Sequence, residues 1–240
     1  MAKNDNLKDL LTDVADAIRE KKGTTELINP QDFGSEIRGL ESGGSGYNAN
    51  IEGDSTIFGM DGYEKVIINE GVKTIGRYAL AYTSNLKEVH LPNTLEVIEE
   101  RAFFTSNITE VIIPDSVHTI VKYAFATNIY LQKINIPKDL TAISMGILNG
   151  NYNINVPLFF PKQCASIDQQ AFNKCKRVPY FNFANHETIP NLSNINAFTE
   201  TTGQFVVPDS LYDEWIVATN WATYADRIVK ASEFVEPTNE

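Results

Sequence analysis

Between residues 63 and 208 apolar and polar positions alternate in short bursts, and the bursts keep a common register. One phrase returns as LKEVHLPNTLEVIEERAF from Leu86, ITEVIIPDSVHTIVKYAF from Ile108 and LQKINIPKDLTAISMGIL from Leu131, a period of 22 to 24 residues. Its first apolar slot holds Tyr63, Leu86, Ile108, Leu131, Asn155 and Val178. The second holds Val66, Val89, Val111, Ile134, Leu158 and Phe181, and the third Ile68, Leu91, Ile113, Ile136, Phe160 and Phe183. Period-two alternation over so short a run predicts a strand with one buried face. Proline at 92, 114, 137, 161 and 208 then ends the strand, because it has no N–H for a ladder. A fourth slot follows at Leu95, Val117, Leu140 and Cys164, and a fifth at Ile75, Ile98, Ile120, Ile143 and Ile167. Ala-Phe pairs such as Ala124-Phe125 close most units.

Repetition at this period is the mark of a solenoid, in which each coil buries its apolar face only by stacking on its neighbours. Equivalent strands then lie about 4.8 Å apart in a parallel sheet, and about six to seven coils give a body on the order of 30 Å long. The fold class expected is therefore α/β and strand-dominated, a solenoid over residues 51–208. The phrase resembles the BspA-like, or treponemal, class of leucine-rich repeat. That resemblance covers Tyr63 to Pro208 and implies a non-enzymatic binding scaffold of a kind usual on bacterial surfaces. Two units depart from it. The fifth opens on Asn155, and the sixth, VPYFNFANHETIPNLSNINAF, has about three extra residues and no proline after its strand, which predicts a bulged loop.

The two ends have a different periodicity. Leu7, Leu10, Leu11, Val14 and Ile18 keep helical spacing up to Gly23, and a second helix begins at Asn29 and Pro30 with Phe33, Ile37 and Leu40 on one face. Residues 1–42 thus read as a helical hairpin, near or below the size that supports an independent core, and Gly/Ser-rich residues 43–50 as a linker. The hairpin is read as a docking or oligomerisation module, with Leu7, Leu11, Val14, Ile18, Phe33, Ile37 and Leu40 as its contact residues; the alternative is a cap on the first coil. Residues 11–40 resemble the amino-terminal module of tail-fibre and other virion proteins of phages infecting gut bacteria. The resemblance implies a tail or head fibre, a receptor-binding element or a capsid decoration, with other virion proteins as partners and the virion as its location. A bacterial surface adhesin or interaction scaffold is the alternative. At the other end, residues 209–240 predict a helical cap, with capping-box spacing at Ser210 and Asp213 and with Leu211, Trp215, Trp221, Tyr224 and Ile228 turned to the last coil. The aromatic cluster has a second reading as a carbohydrate platform.

Charge and chemistry narrow the function further. A net charge of -11 argues against a nucleic-acid partner. No apolar run reaches the roughly 18 residues of a membrane span, and the amino terminus lacks the basic and apolar regions of a secretion signal. His90, His118 and His186 stand in no metal-ligand spacing with Cys, Asp or Glu, and no nucleophile elbow, phosphate loop or calcium loop occurs. Catalytic residues, cofactors and metals are therefore not expected. Cys164 and Cys175 read as core, Cys175 continuing a small-polar ladder of Thr83, Ser106, Asn128 and Asn151. The candidate binding surface is the outward strand row Ile67, His90, Ile112, Asn135, Phe159 and Asn182 with Tyr180 from the neighbouring row, to meet a host glycan or protein. Phe159 and Tyr180, on adjacent coils, are its centre.

Overall fold

A computed structural model describes residues 48–51 and 63–237, the first four through their backbone alone. The expected hairpin and the first part of the expected linker lie outside the described residues. The repeat phrase forms the strands it predicts. The first sheet stacks β1 (Asn48–Ile51), β2 (Lys65–Ile68), β4 (Glu88–His90), β6 (Glu110–Val111) and β8 (Lys133–Ile134). Residues 48–50, read from sequence as linker, are therefore strand. The same side of the coil continues as β10 (Leu158–Phe159), β12 (Tyr180–Asn182), β14 (Gln204–Val207) and β15 (Ile228–Lys230), again parallel. After the turn that follows each of these strands a shorter strand forms a second side, as β3 (Thr74–Ile75), β5 (Val97–Ile98) and β7 (Thr119–Ile120), then β9 (Ala142–Ile143), β11 (Ser166–Ile167) and β13 (Asn191–Leu192).

Both sides are interrupted at the fourth coil, for two local reasons. On the first side Ile154, fully buried, takes the opening slot that the sequence pattern gives to Asn155, which is exposed. Four positions then separate Ile154 from Leu158, where three separate Leu131 from Ile134. The extra residue breaks the ladder between β8 and β10, although Asn155 N still donates to Gln132 O at 3.0 Å. On the second side the Ser144 hydroxyl donates to Ile120 O at 2.6 Å. It takes the carbonyl that a backbone N–H takes in the flanking coils, as Val121 N takes Ile98 O and Asp168 N takes Ile143 O, both at 2.9 Å.

The third side consists of turns that the sequence does not announce. Tyr78, Arg101, Tyr123, Gly146 and Gln170 occupy one equivalent position, all with φ between 56° and 60°. Thr105, Thr127, Gly150 and Lys174 form a second such row. A non-glycine residue in this left-handed region costs on the order of 1 kcal/mol, and the geometry persists because neighbouring coils bond to it. Tyr78 N, Leu80 N and Tyr82 N donate to Glu100 O, Ala102 O and Phe104 O of the next coil at 3.2, 2.7 and 2.9 Å, and later coils repeat the pattern. Arg101 is held between Tyr78 and Tyr123, its guanidinium carbon 5.7 and 5.2 Å from their ring centroids.

Inside, the fifth slot (Ile75, Ile98, Ile120, Ile143, Ile167) and the closing phenylalanines are buried throughout. The small-polar ladder satisfies backbone groups that the turns leave inside the coil. Asn128 Nδ2 donates to Phe103 O and Phe125 O, both at 2.8 Å; Asn151 Nδ2 donates to Phe125 O at 2.9 Å, and Cys175 Sγ to Leu148 O at 3.2 Å. Cys164 and Cys175 are both free and buried, as the core reading expects.

The carboxy-terminal segment covers the last coil with less helix than its sequence suggests. A single short helix, α1 (Tyr212–Trp215), is followed by a 3-10 turn over Trp221–Arg227 and by β15, which adds a further strand to the first side. The capping box at Ser210 and Asp213 is not made, since α1 has no side-chain cap. Asp209 instead accepts from Ser232, at 3.0 Å from the backbone N–H and also from the hydroxyl, and so ties the cap to the tail. Trp215, Trp221, Tyr224 and Ile228 are buried and Leu211 half-buried. Three cap side chains reach the backbone of the last coil. Trp221 Nε1 donates to Pro190 O at 2.8 Å, Asn220 Nδ2 to Leu192 O at 2.6 Å, and Tyr224 Oη accepts from Phe198 N at 3.3 Å.

Candidate binding face

Strand alternation sends one side chain of each pair inward and the next outward. On the first side the outward members form two rows. Pairing fixes their order: Lys65 opposite Glu88, Ile67 opposite His90, Glu110 opposite Lys133, Phe159 opposite Asn182 and Tyr180 opposite Gln204. Over the first coils one row is charged and largely self-neutralising. Lys65 reaches Glu88 at 2.9 Å and Lys133 reaches Glu110 at 3.4 Å. The hydrogen bond from His90, with that from Lys65, holds the Glu88 carboxyl below its usual range. These pairs are exposed and add little stability. They also leave the other row as the distinctive part of the face.

In that row Ile112 is 62% exposed and Phe159 55%, while His90 is also open to solvent. Ile67, Asn135 and Asn182 are half-buried. Lys87, Glu88, His90, Glu110, Ile112 and Pro114 line an open groove of about 620 Å³. Asn135 braces the neighbouring strand, because its amide accepts from Ile113 N at 2.7 Å and donates to Ile113 O at 2.8 Å. The face also departs from expectation at its far end. Tyr180 does lie beside Phe159, ring centroids 6.1 Å apart, but it is 4% exposed, covered by Phe234 and bonded to Glu236. Val206, which follows Phe159 and Asn182 in the other row, is buried as well.

Other candidate sites change in similar ways. The carbohydrate platform is excluded by burial, since Trp215 and Trp221 pack edge to face at 5.4 Å inside the cap. His186 is buried in the irregular sixth coil, where nine positions separate Phe183 from Leu192 against seven from Phe160 to Ile167. Its Nδ1–H donates to Phe183 O at 3.2 Å, and burial pushes its pKa down. Burial pushes the Cys164 thiol up to about 11 and the Cys175 thiol up as well. Among the described residues no cluster of His, Cys, Asp and Glu could hold a metal, and no helix is long and apolar enough to cross a membrane.

Two surfaces escaped the sequence reading. Ile129, Tyr130 and Tyr152 are exposed in the loops that enter the first side, where coil lengths vary and no slot pattern marks them. On the second side Ser144, Ser166, Asp168, Asn191 and Ser193 line an open groove of about 490 Å³. Short polar residues on a strand face carry no signal that separates recognition from solvation.

Stacked parallel coils with a chemically mixed outer face and a buried side-chain ladder define a leucine-rich-repeat solenoid. Within that class the chain belongs to the family of the BspA type leucine rich repeat region, whose model matches in six copies over residues 54–179. Similar solved structures include a leucine-rich repeat protein from Bacteroides ovatus ATCC 8483, 21% identical over 68% of this chain and 52% of that one, with a TM-score of 0.52. A leucine-rich repeat protein from Eubacterium ventriosum ATCC 27560 is 16% identical over 57% of this chain and 43% of that one, with a TM-score of 0.49. A leucine rich cell surface protein from Faecalibacterium prausnitzii A2-165 is 16% identical over 64% and 62%, with a TM-score of 0.35. The Bacteroides likeness is one of fold, and the chain spans about half the length of that protein, 52%. No curated protein matches the chain.

Proposed function

We propose that the chain is a non-enzymatic recognition scaffold of the bacterial surface type, which holds a protein or glycan against the outward row of its first side around Ile112 and Phe159. The observation that carries this reading is the exposure of those two large side chains, 62% and 55%, on the outer face of the first side, where the charged neighbours Lys65, Glu88, Glu110 and Lys133 are paired with one another. Strand propensity alone would be met as well by a polar β-former such as threonine. Membership of the BspA-type family supports the bacterial setting. Nothing comparable supports the virion reading of residues 11–40, and docking through the hairpin stands as a proposal on residues outside those described.

The test is binding of the full chain to arrays of glycans and of host and bacterial surface proteins, repeated with Ile112→Ala and Phe159→Ala. A true ligand should lose about tenfold in affinity with each substitution, the usual scale for an aromatic or aliphatic anchor. Binding that survives both would move the site to the second-side groove or to the Tyr130 and Tyr152 edge. Recovery of the chain in purified phage particles would instead restore the virion setting.

A further inference from the structure

The outward face does not end where its exposure ends. Phe159 is open, yet Tyr180 on the next coil is 4% exposed and Val206 on the one after is 2% exposed. The chain's own tail lies over Tyr180. The Phe234 ring sits 4.7 Å from the Tyr180 ring, and the Glu236 carboxylate accepts the phenol's hydrogen bond at 2.8 Å.

This cover is not part of the core. The inward residues of the same strands, Phe181 and Phe205, are already fully buried among Phe172, Phe198 and Trp221. Tyr180 points the other way, so Phe234 and Glu236 shield an outer-face aromatic that the cap does not need to shield. The cover is also thin. Val235, between the two contacts, is 84% exposed; Glu236 and Pro237 are exposed, and the segment forms no strand or helix after β15 ends at Lys230. It is pinned upstream, where Ser232 bonds to Asp209, and beyond that point Phe234 and Glu236 supply the contacts with Tyr180. Desolvation, with Glu236 beside it, pushes the Tyr180 phenol up to about 12, in keeping with a hydroxyl held as a donor.

We propose that the Tyr180 end of the outer face is a peptide-recognition subsite kept shut by the chain's own tail, and that its partner is a protein segment with an aromatic side chain two positions ahead of a carboxylate. The resident occupant shows this chemistry directly: a ring for Tyr180 to pack on, and an acceptor for its phenol. Such a partner would displace residues 234–237 while Ser232 stays on Asp209, and would extend the Ile112–Phe159 face by one coil. The proposal rests on the outer-face reading given above.

The probe is a fluorescent peptide spanning residues 231–237, ASEFVEP, titrated against the full chain and against its Phe234→Ser/Glu236→Gln variant. The variant should bind the peptide about fivefold more tightly than the wild type, because the competing tail has been released. Adding Tyr180→Phe to the variant should weaken binding about threefold, since the phenol is the donor to the carboxylate. Equal binding by variant and wild type, or no binding by either, overturns the proposal. A marked loss of melting temperature in the variant overturns it too, because the tail would then be a structural part of the cap. Since the probe is the chain's own sequence, this result is independent of whether Ile112 and Phe159 hold any external ligand.

Discussion

Phe103 and Phe125 stack with their ring planes 4° apart and their centroids separated by 4.8 Å, and both side chains are fully buried. They are the same position of consecutive coils. The contact therefore couples two coils through one ring pair in addition to the two sheets and the turn side. Phe125→Ala should cost about 3 to 5 kcal/mol, the range for truncating a buried phenylalanine. Phe125→Asp should prevent cooperative folding, because an unpaired carboxylate would enter the same space. Urea unfolding followed by circular dichroism separates the two outcomes.

Asn128 makes a sharper case for the polar ladder. Its amide serves Phe103 O and Phe125 O, and its Oδ1 accepts from Ser106 Oγ at 2.7 Å. Asn128→Ala removes three buried hydrogen bonds, while Phe125 O keeps Asn151 Nδ2 at 2.9 Å and Phe103 O keeps Ser106 Oγ at 3.2 Å, and should destabilise by about 1 to 3 kcal/mol at about 1 kcal/mol for each bond lost. Asn128→Leu should be no better than alanine despite its volume. Equal stability of the leucine variant and the wild type in urea would show that the ladder is packing and not hydrogen bonding.

Gly146 occupies the left-handed turn position, and a Cβ added there would lie 2.2 Å from the Tyr123 ring. Tyr123 leans over it, its hydroxyl within 3.3 Å of Gln170 Oε1. Gly146→Ala should destabilise by about 2 kcal/mol or more from clash and backbone strain together. Adding Tyr123→Ala should recover the clash part, so the double-mutant cycle should show a favourable coupling. Additive effects in thermal melts would deny that the ring is the obstacle.

His186 gives the protein a pH signature. Its ring packs on Phe183 at 5.2 Å and on Trp215 at 6.2 Å, and its Nε2 has no hydrogen-bond partner among the described residues. Burial lowers its pKa in the folded chain, so below the ordinary histidine value the unfolded chain binds more protons than the folded one. This contribution to stability is present in full above that value and is lost as pH falls through the window down to the folded pKa. Melting temperature should therefore drop between pH 7 and about pH 5, and His186→Phe should flatten that part of the profile.

The cysteines yield a direct chemical test. With both thiols buried and their pKa values raised, neither Cys164 nor Cys175 should react with a thiol reagent at neutral pH until the chain unfolds. Labelling rates across a urea titration should follow the unfolding curve.

The parts of this fold legible in the sequence are those fixed by local alternation. Val66, Val89, Val111, Ile134, Leu158 and Phe181 are found buried where the two-residue period places them. The pattern misplaces the fifth opening slot because Ile154 and Asn155 are neighbours and only the inserted residue before Leu158 decides between them. The left-handed turns are not legible at all: Tyr78, Arg101 and Tyr123 are poor markers of positive φ, and inter-coil hydrogen bonds fix the geometry. At the candidate site, Phe159 and Tyr180 meet as diagonal neighbours on adjacent coils, as the repeat register places them. Exposure of Tyr180 depends on Phe234, more than fifty positions further on, and no local pattern reports a tail that folds back.

The cap side chains have a consequence for assembly. In the interior coils the carbonyls equivalent to that of Leu192 take an N–H, or at Ile120 the Ser144 hydroxyl, from the coil that follows; those equivalent to that of Pro190 take an N–H at Lys73, Glu96, Thr141 and Ala165; and the N–H equivalent to that of Phe198 finds a carbonyl there. Trp221, Asn220 and Tyr224 are side-chain counterfeits of that missing coil. A stack in which every layer is the template for the next has no intrinsic length, and its bare end would accept the first layer of another molecule as readily as a layer of its own. On the second and third sides these three residues therefore act as a chain terminator for growth in the solid sense: they satisfy the end while offering no new layer to copy, and only the first side carries one strand more, β15.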